Sequence, residues 1–237
     1  MSVWILFDLD GTLADSGEGV MKSVRFALDR MGFPDEPDNA LRRFVGPPLH
    51  ESFMEFYGFS EKKAFEAVET YRIRYREKGV YENRLFPGMK EMLKKLKAAG
   101  AELCVATSKP THFTQIILKQ HGVCELFTHV VGANMDGTMT DKAEVIREVL
   151  RRIGGTRDEK ILMVGDRKFD VVGAERCGIP CVGVYFGFAD PGELEAAGAA
   201  YIAHTVPELE ALLLGLVDSR SALQTGLQGL APGRKNS

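Results

Sequence analysis

Four short stretches place carboxylates, hydroxyls and ammonium groups where apolar runs end. In ILFDLDGTLADS, residues 5–16, a strand-like run stops at Asp8 and Asp10, followed by Gly11 and Thr12. A carboxylate at the end of a buried strand is costly unless something compensates it, and two close together repel. VGDRKFD carries a second pair, Asp166 and Asp170, spaced so that a helix beginning there sets both on one face. One divalent cation compensates both pairs. Hard oxygen donors with no His or Cys nearby favour Mg²⁺, which keeps waters and accepts substrate phosphate oxygens. Ca²⁺ takes similar donors, but LADSGEGV lacks the further ligands and closing Glu of an EF-hand loop. Alone, Asp166 would also serve as a helix cap and Asp170 as a solvated surface residue; beside DLDGT, a shared metal site explains them better.

Between the two pairs, Thr107-Ser108-Lys109-Pro110 offers hydroxyl and backbone donors after one strand and before a helix, a place to hold phosphate oxygens. Thr-Ser before Pro is also ordinary turn chemistry. Lys142 opens DKAEVIREVL, where its ammonium either offsets the aspartates or is simply solvated. NMDGTMTD, residues 134–141, repeats the DGTxxD of DGTLAD, but Asn134 stands where Asp8 stands. That removes the first of the two carboxylates, and the stretch reads as a turn delivering Lys142.

The elements that must position these groups alternate. Apolar runs at 3–9, 102–107, 128–132, 161–165 and 181–185 read as buried strands, and 88–99, 111–121, 141–153, 168–177 and 206–214 carry helical periodicity. Such alternation predicts an α/β fold with a parallel sheet covered on both faces, where ligands bind beyond the carboxyl ends of the strands. Residues 16–84 break the rhythm with amphipathic helical patterns alone, so they form a helical insertion flanked by two linkers that could hinge. The stretch 217–237 loses periodicity and is expected to be a frayed tail.

A formal charge of −3 over 237 residues gives no bulk reason to bind nucleic acid or an anionic membrane, and no apolar run reaches the length of a membrane span. The partner is expected to be a small phosphorylated metabolite, with the protein a monomer or homodimer. The amino terminus lacks a basic region and reads as the first core strand, which makes the cytoplasm the expected location. Cys104, Cys124, Cys177 and Cys181 are dispersed among apolar neighbours and read as reduced, mostly buried thiols.

In order, DLDGTLADS, TSK, the Lys142 helix and GDRKFD resemble the four motifs of the haloacid dehalogenase superfamily, spread over nearly the whole chain. The helical insertion resembles the small cap of the subfamily that includes phosphoglycolate phosphatases, β-phosphoglucomutase and some 5′-nucleotidases. The resemblance implies a Rossmann-like core over 1–15 and 85–216 with an all-helical, mobile cap over 16–84, inserted after the first strand. It implies that Asp8 attacks phosphorus to form an aspartyl-phosphate, and that Asp10 protonates the leaving alcohol and then deprotonates water. Mg²⁺ would be held by Asp8, Asp10 and Asp166, Asp10 through its backbone carbonyl, with Asp170 bound directly or through water. Thr107 would bind the transferring phosphoryl oxygens and Lys142 would orient Asp8.

Ser108 and Lys109 join the implied substrate contacts, since a lysine commonly follows the second motif in phosphoglycolate-like members. The stretch from Arg42 to Leu49 resembles the substrate-facing loop of such caps, where Arg43 either binds a second anionic group or ends a solvated helix. Arg72, Arg74 and Arg76 alternate, cannot share one helix face, and are read as solvated. Dehalogenase members typically lack the second aspartate, because a halide needs no proton, so Asp10 argues for phosphatase chemistry. GANMDG resembles a run that precedes this lysine in the 5′-nucleotidase subgroup. The expectation is a Mg²⁺-dependent phosphatase acting on a 5′-nucleotide or a phosphoglycolate-like monoester. A β-phosphoglucomutase-like phosphoryl transfer is the alternative. A non-enzymatic phospho-aspartate sensor is disfavoured by the cap and Asp10.

Overall fold

Val3–Phe7 (β1) is the strand around which the chain is built, because both of its faces are apolar: Ile5 and Phe7 bury into one hydrophobic cluster and Leu6 into another. That two-sided burial is the signature of a central parallel strand. In this computed structural model, which describes residues 3–155 and 160–218, the chain leaves β1 through a short strand, Ala14–Asp15 (β2), into four helices. These are Gly17–Arg30 (α1), Asp38–Arg42 (α2), Leu49–Tyr57 (α3) and Glu61–Glu77 (α4). The helical segment closes with Arg84–Leu85 (β3), which pairs antiparallel with β2.

From there strands and helices alternate as expected: Met89–Ala98 (α5), Ala101–Pro110 (β4), Thr111–Gln120 (α6), His129–Ala133 (β5), Lys142–Arg152 (α7), Lys160–Gly165 (β6), Lys168–Glu175 (α8) and Cys181–Val184 (β7). Glu193–Ala196 (α9), Tyr201–Ala203 (β8) and Val206–Asp218 (α10) complete the described chain. The sheet has six strands in the order β5-β4-β1-β6-β7-β8, every neighbouring pair parallel. Val145, Ile146 and Val149 of α7 and Val171 and Ala174 of α8 pack into the cluster around Leu6; α5, α6 and α10 bury theirs into the cluster around Ile5 and Phe7. The expected Rossmann-like α/β class is therefore observed.

The differences from expectation lie at edges. The three-residue β8 and the single-turn α9 are too short to show a period. Strand β4 continues past Thr107 to Pro110, with a register break between them that bulges Ser108 and Lys109 out of the ladder. Helix α10 continues to Asp218; the rest of the expected tail lies outside the described residues. All four cysteines are free thiols, with Cys104 and Cys181 buried. Among the described residues no helix is long and apolar enough to cross a membrane.

Candidate active site

Asp8 follows the last residue of β1, and its backbone N–H still bonds the Val164 carbonyl of β6 at 2.9 Å, so the strand ladder aims it at the carboxyl edge of the sheet. Asp166 follows β6 immediately, Asp170 sits in the first turn of α8, and Lys142 opens α7 behind an Asp141 cap. Four elements thus converge. Lys142 Nζ lies 2.7 Å from Asp8 Oδ1, 2.8 Å from Asp170 Oδ1 and 3.1 Å from the Ala106 carbonyl. Two glycines make the convergence possible. A Cβ on Gly165 would lie 2.2 Å from Asp170 Cγ, and one on Gly11, whose φ is +82°, would lie 2.0 Å from Asp166 Oδ2.

The carboxylates of Asp8, Asp166 and Asp170 offer oxygens that all lie within 4.8 Å of one another, and all three side chains are buried. Asp166 accepts hydrogen bonds from Thr12 Oγ1 at 3.2 Å and from the Phe188 N–H at 2.7 Å. Asp170 Oδ2 accepts from the Arg167 N–H at 3.1 Å. Its Oδ1, though beside Lys142, is off hydrogen-bonding geometry and is left without a hydrogen bond among the described residues. Burial pushes Asp8 from 3.8 up to about 6; Lys142 pulls it down, and Asp170 and Asp10 push it up. Burial, then Asp170 and Asp8, raise Asp166 well above the usual carboxylate range. Burial alone would lower the Lys142 ammonium, but Asp170 and Asp8 outweigh it and hold it above its ordinary value. Three buried carboxylates with a single ammonium among them leave surplus negative charge, which fits a hard divalent cation.

Asp10 faces elsewhere. Its Oδ2 pairs with Lys109 Nζ at 2.8 Å, and its Oδ1 accepts a hydrogen bond from Ser16. Its carboxylate is thus not among the three clustered carboxylates. The bulge in β4 is what turns Lys109 inward, while Thr107 Oγ1, buried beneath it, accepts from the Lys109 N–H at 3.2 Å. Ser108 spends its hydroxyl proton on the Thr140 carbonyl at 3.0 Å.

Beyond Asp10 and Lys109 opens a cavity of about 250 Å³ between the helical segment and the sheet edge. One face of α4 supplies Phe65, Val68, Tyr71, Arg72 and Tyr75, with Phe44, Leu49 and His50 beside them and Phe113 and Met135 opposite. The Tyr75 hydroxyl, in a ring whose centroid lies 4.9 Å from Lys109 Nζ, is buried without a hydrogen-bond partner among the described residues. Arg72 and Arg74, expected to be solvated, are only 14% and 16% exposed. Arg72 lines the cavity with Glu69 as its ion-pair partner, and Arg74 makes two bonds to Glu82, at 2.8 and 2.9 Å, and one to Ser23. Two helix positions differ by about 200°, so each arginine finds a different neighbour. Arg43 is exposed and stacks on Phe56 at 3.8 Å, outside the cavity lining. Thr12 and Ser16 escaped the sequence reading, although both are hydroxyls within the DLDGTLADS stretch.

The haloacid dehalogenase-like hydrolase family matches residues 5–184, a span holding Asp8, Asp10, Thr107, Lys109, Lys142, Asp166 and Asp170. The chain belongs to that family. A 5′-nucleotidase of Pseudomonas aeruginosa is 49% identical to this hydrolase over 193 residues, covering 81% of it and 86% of the relative. The tyrosine-protein kinase PtkA of Mycobacterium tuberculosis is 36% identical over 211 residues, covering 88% and 72%. A solved structure described as a predicted phosphatase from Clostridium acetobutylicum superposes with a TM-score of 0.88 at 41% identity, covering 91% of the hydrolase and 99% of that chain. The expected enzyme class, a phosphatase of the haloacid dehalogenase type, holds.

Proposed function

We propose that this hydrolase removes the phosphate of a nucleoside 5′-monophosphate with the help of Mg²⁺, through an aspartyl-phosphate on Asp8. The observation that carries the substrate class is the cavity beside Asp10. Its volume of about 250 Å³ and its aromatic lining suit a ribose and base, whereas glycolate would leave those apolar walls uncovered. The 5′-nucleotidase relative supports the same reading. The substrate is thus a small phosphorylated metabolite.

Asp8, Asp166 and Asp170, with the Asp10 carbonyl, would hold the cation, which supplies charge neutralisation around the phosphate oxygens. Lys142 grips Asp8 Oδ1 at 2.7 Å and fixes the carboxylate that attacks phosphorus. As the phosphorus–oxygen bond to the ribose 5′-carbon oxygen breaks, Asp10 gives that oxygen a proton. Asp10 then takes a proton from water, whose oxygen attacks the phosphoryl group and frees Asp8 and inorganic phosphate. Thr107 and the backbone of the β4 bulge bind the transferring oxygens. The helical segment acts as the cap, walling the leaving group off from bulk water.

Phosphate release from nucleoside 5′-monophosphates, phosphoglycolate and sugar phosphates, measured as kcat/KM with Mg²⁺ and with EDTA, tests the reading. Nucleotides are expected to lead and to require the metal, and Asp8→Asn is expected to abolish turnover while the circular dichroism spectrum stays unchanged. Phosphoglycolate ahead of every nucleotide would overturn the substrate class, and a fully active Asp8→Asn the nucleophile.

A further inference from the structure

Tyr75 is tightly held, yet its hydroxyl has nothing to give its proton to. The ring stacks on Tyr71 with centroids 5.0 Å apart at 16°, and it meets Phe113 edge-on at 5.1 Å and 80°. A Cβ on Gly79 would lie 2.6 Å from Tyr75 Cδ2, so any side chain at that position would displace the ring. Packed this way, Tyr75 is 1% exposed and its hydroxyl is left without a hydrogen-bond partner among the described residues. Buried hydroxyls are ordinarily satisfied, and one left orphaned on the wall of a substrate cavity calls for a partner that the substrate brings.

The surroundings define that partner. Lys109 Nζ stands 4.9 Å from the ring centroid and pairs with Asp10. An ammonium has only protons to give, so Lys109 cannot take the proton of Tyr75. Burial holds the Tyr75 hydroxyl above its ordinary value against the pull of Lys109, so it keeps that proton. Neighbouring hydroxyls are committed: Ser16 donates to Asp10 and Ser108 to the Thr140 carbonyl. Tyr75 therefore brings a proton in need of an acceptor next to the carboxylate proposed to protonate the leaving oxygen. In a nucleoside 5′-monophosphate the first acceptor along the leaving group is the furanose ring oxygen, separated from the 5′-oxygen only by the 5′ and 4′ carbons. That oxygen accepts and cannot donate, the complement of the Tyr75 hydroxyl.

We propose that the Tyr75 hydroxyl donates a hydrogen bond to the ring oxygen of the ribose, so that this residue of α4 selects leaving groups with an acceptor at that position. The contact rests on the nucleotide reading above. A site built around such a donor rejects an analogue without the acceptor, because the donor is then left unpaired in the complex.

The test compares kcat/KM for AMP with that for its carbocyclic analogue, in which a methylene replaces the ring oxygen, in the wild type and in Tyr75→Phe, which keeps the ring and loses the hydroxyl. The wild type is expected to favour AMP over the analogue about fivefold, Tyr75→Phe to lose about fivefold on AMP, and the variant to treat the two substrates alike to within about twofold. The Tm of ligand-free Tyr75→Phe is expected not to fall, because the hydroxyl has no partner to lose. Equal losses on AMP and the analogue would make Tyr75 a packing or phosphate contact, and a lowered Tm would mean that the hydroxyl is satisfied within the fold. Either result overturns the contact while leaving nucleotide hydrolysis standing. A wild type that hydrolyses phosphoglycolate ahead of every nucleotide overturns both.

Discussion

Lys109 Nζ meets Asp10 Oδ2 at 2.8 Å, with the two side chains only 6% and 10% exposed. The residue expected to contact phosphate is thus also the partner of the carboxylate proposed to transfer protons. Burial alone would lower the Lys109 ammonium, but Asp10 outweighs it and keeps the lysine charged. The pair is positioned from three sides: the β4 bulge, Ser16 and Tyr75 of α4.

Replacing Lys109 with Met should therefore hurt proton transfer. We expect the phosphorylation step on a nucleotide to slow about 100-fold, within the range attributed to general acid–base catalysis, and the pre-steady-state release of nitrophenolate from p-nitrophenyl phosphate to slow far less, because nitrophenolate leaves without a proton. Equal slowing of phosphorylation by the two substrates in single-turnover measurements would assign Lys109 to phosphate binding alone.

Thr12→Val keeps shape but removes the hydroxyl that donates to Asp166 at 3.2 Å. Groups that orient a metal ligand typically account for 10- to 100-fold in metal affinity. The Mg²⁺ concentration for half-maximal activity should rise by roughly tenfold in this variant, with kcat at saturating Mg²⁺ little changed. An unaltered Mg²⁺ dependence would remove Thr12 from the metal's support.

The cation-free protein should carry a pH signature. Asp8 rises from 3.8 to about 6 on folding, so the folded state holds its proton more tightly than the unfolded chain. The stability tied to that proton is complete below about 3.8 and is lost as the pH climbs through 6, a loss of about 3 kcal/mol at 1.36 kcal/mol per pH unit. Asp166 works in the same direction. In EDTA, Asp8→Asn should gain in Tm over the wild type as the pH rises from 4 to 7, and Mg²⁺ should raise the wild-type Tm at neutral pH. A Tm difference between variant and wild type that does not depend on pH would refute the assignment.

The parts visible in the sequence were those with a long period or a costly residue. The five strands and the helices after them show as apolar runs and helical stripes, and Asp8, Asp10, Asp166 and Asp170 stand out because charge at a strand end needs an explanation. What stayed hidden depends on contacts between elements. Nothing local tells Arg72 from Arg74; only the packing of α4 against α1 on one side and the cavity on the other separates them. Lys109 turns inward because of a bulge against β5, a property of two strands together. The second DGT stretch contributes to the cavity through its fold, with Asn134 where the first stretch has Asp8. Thr12 was within reach, since a hydroxyl one residue past Gly11 is a ready donor to any acid packed over that turn.

The pairing of β2 with β3 has a consequence for how this protein could change its substrate. Ala14 lies opposite Leu85 and Asp15 opposite Arg84, the latter joined at 2.9 Å, so the chain departs from the sheet and returns to it at the same spot. Everything between is a cassette whose two ends already touch. Removing it and joining Asp15 to Arg84 through a two-residue turn would convert the ribbon into a hairpin and leave the six-stranded sheet, with Asp8, Lys142, Asp166 and Asp170, topologically intact. A different cassette grafted there would inherit the reaction and bring its own choice of leaving group.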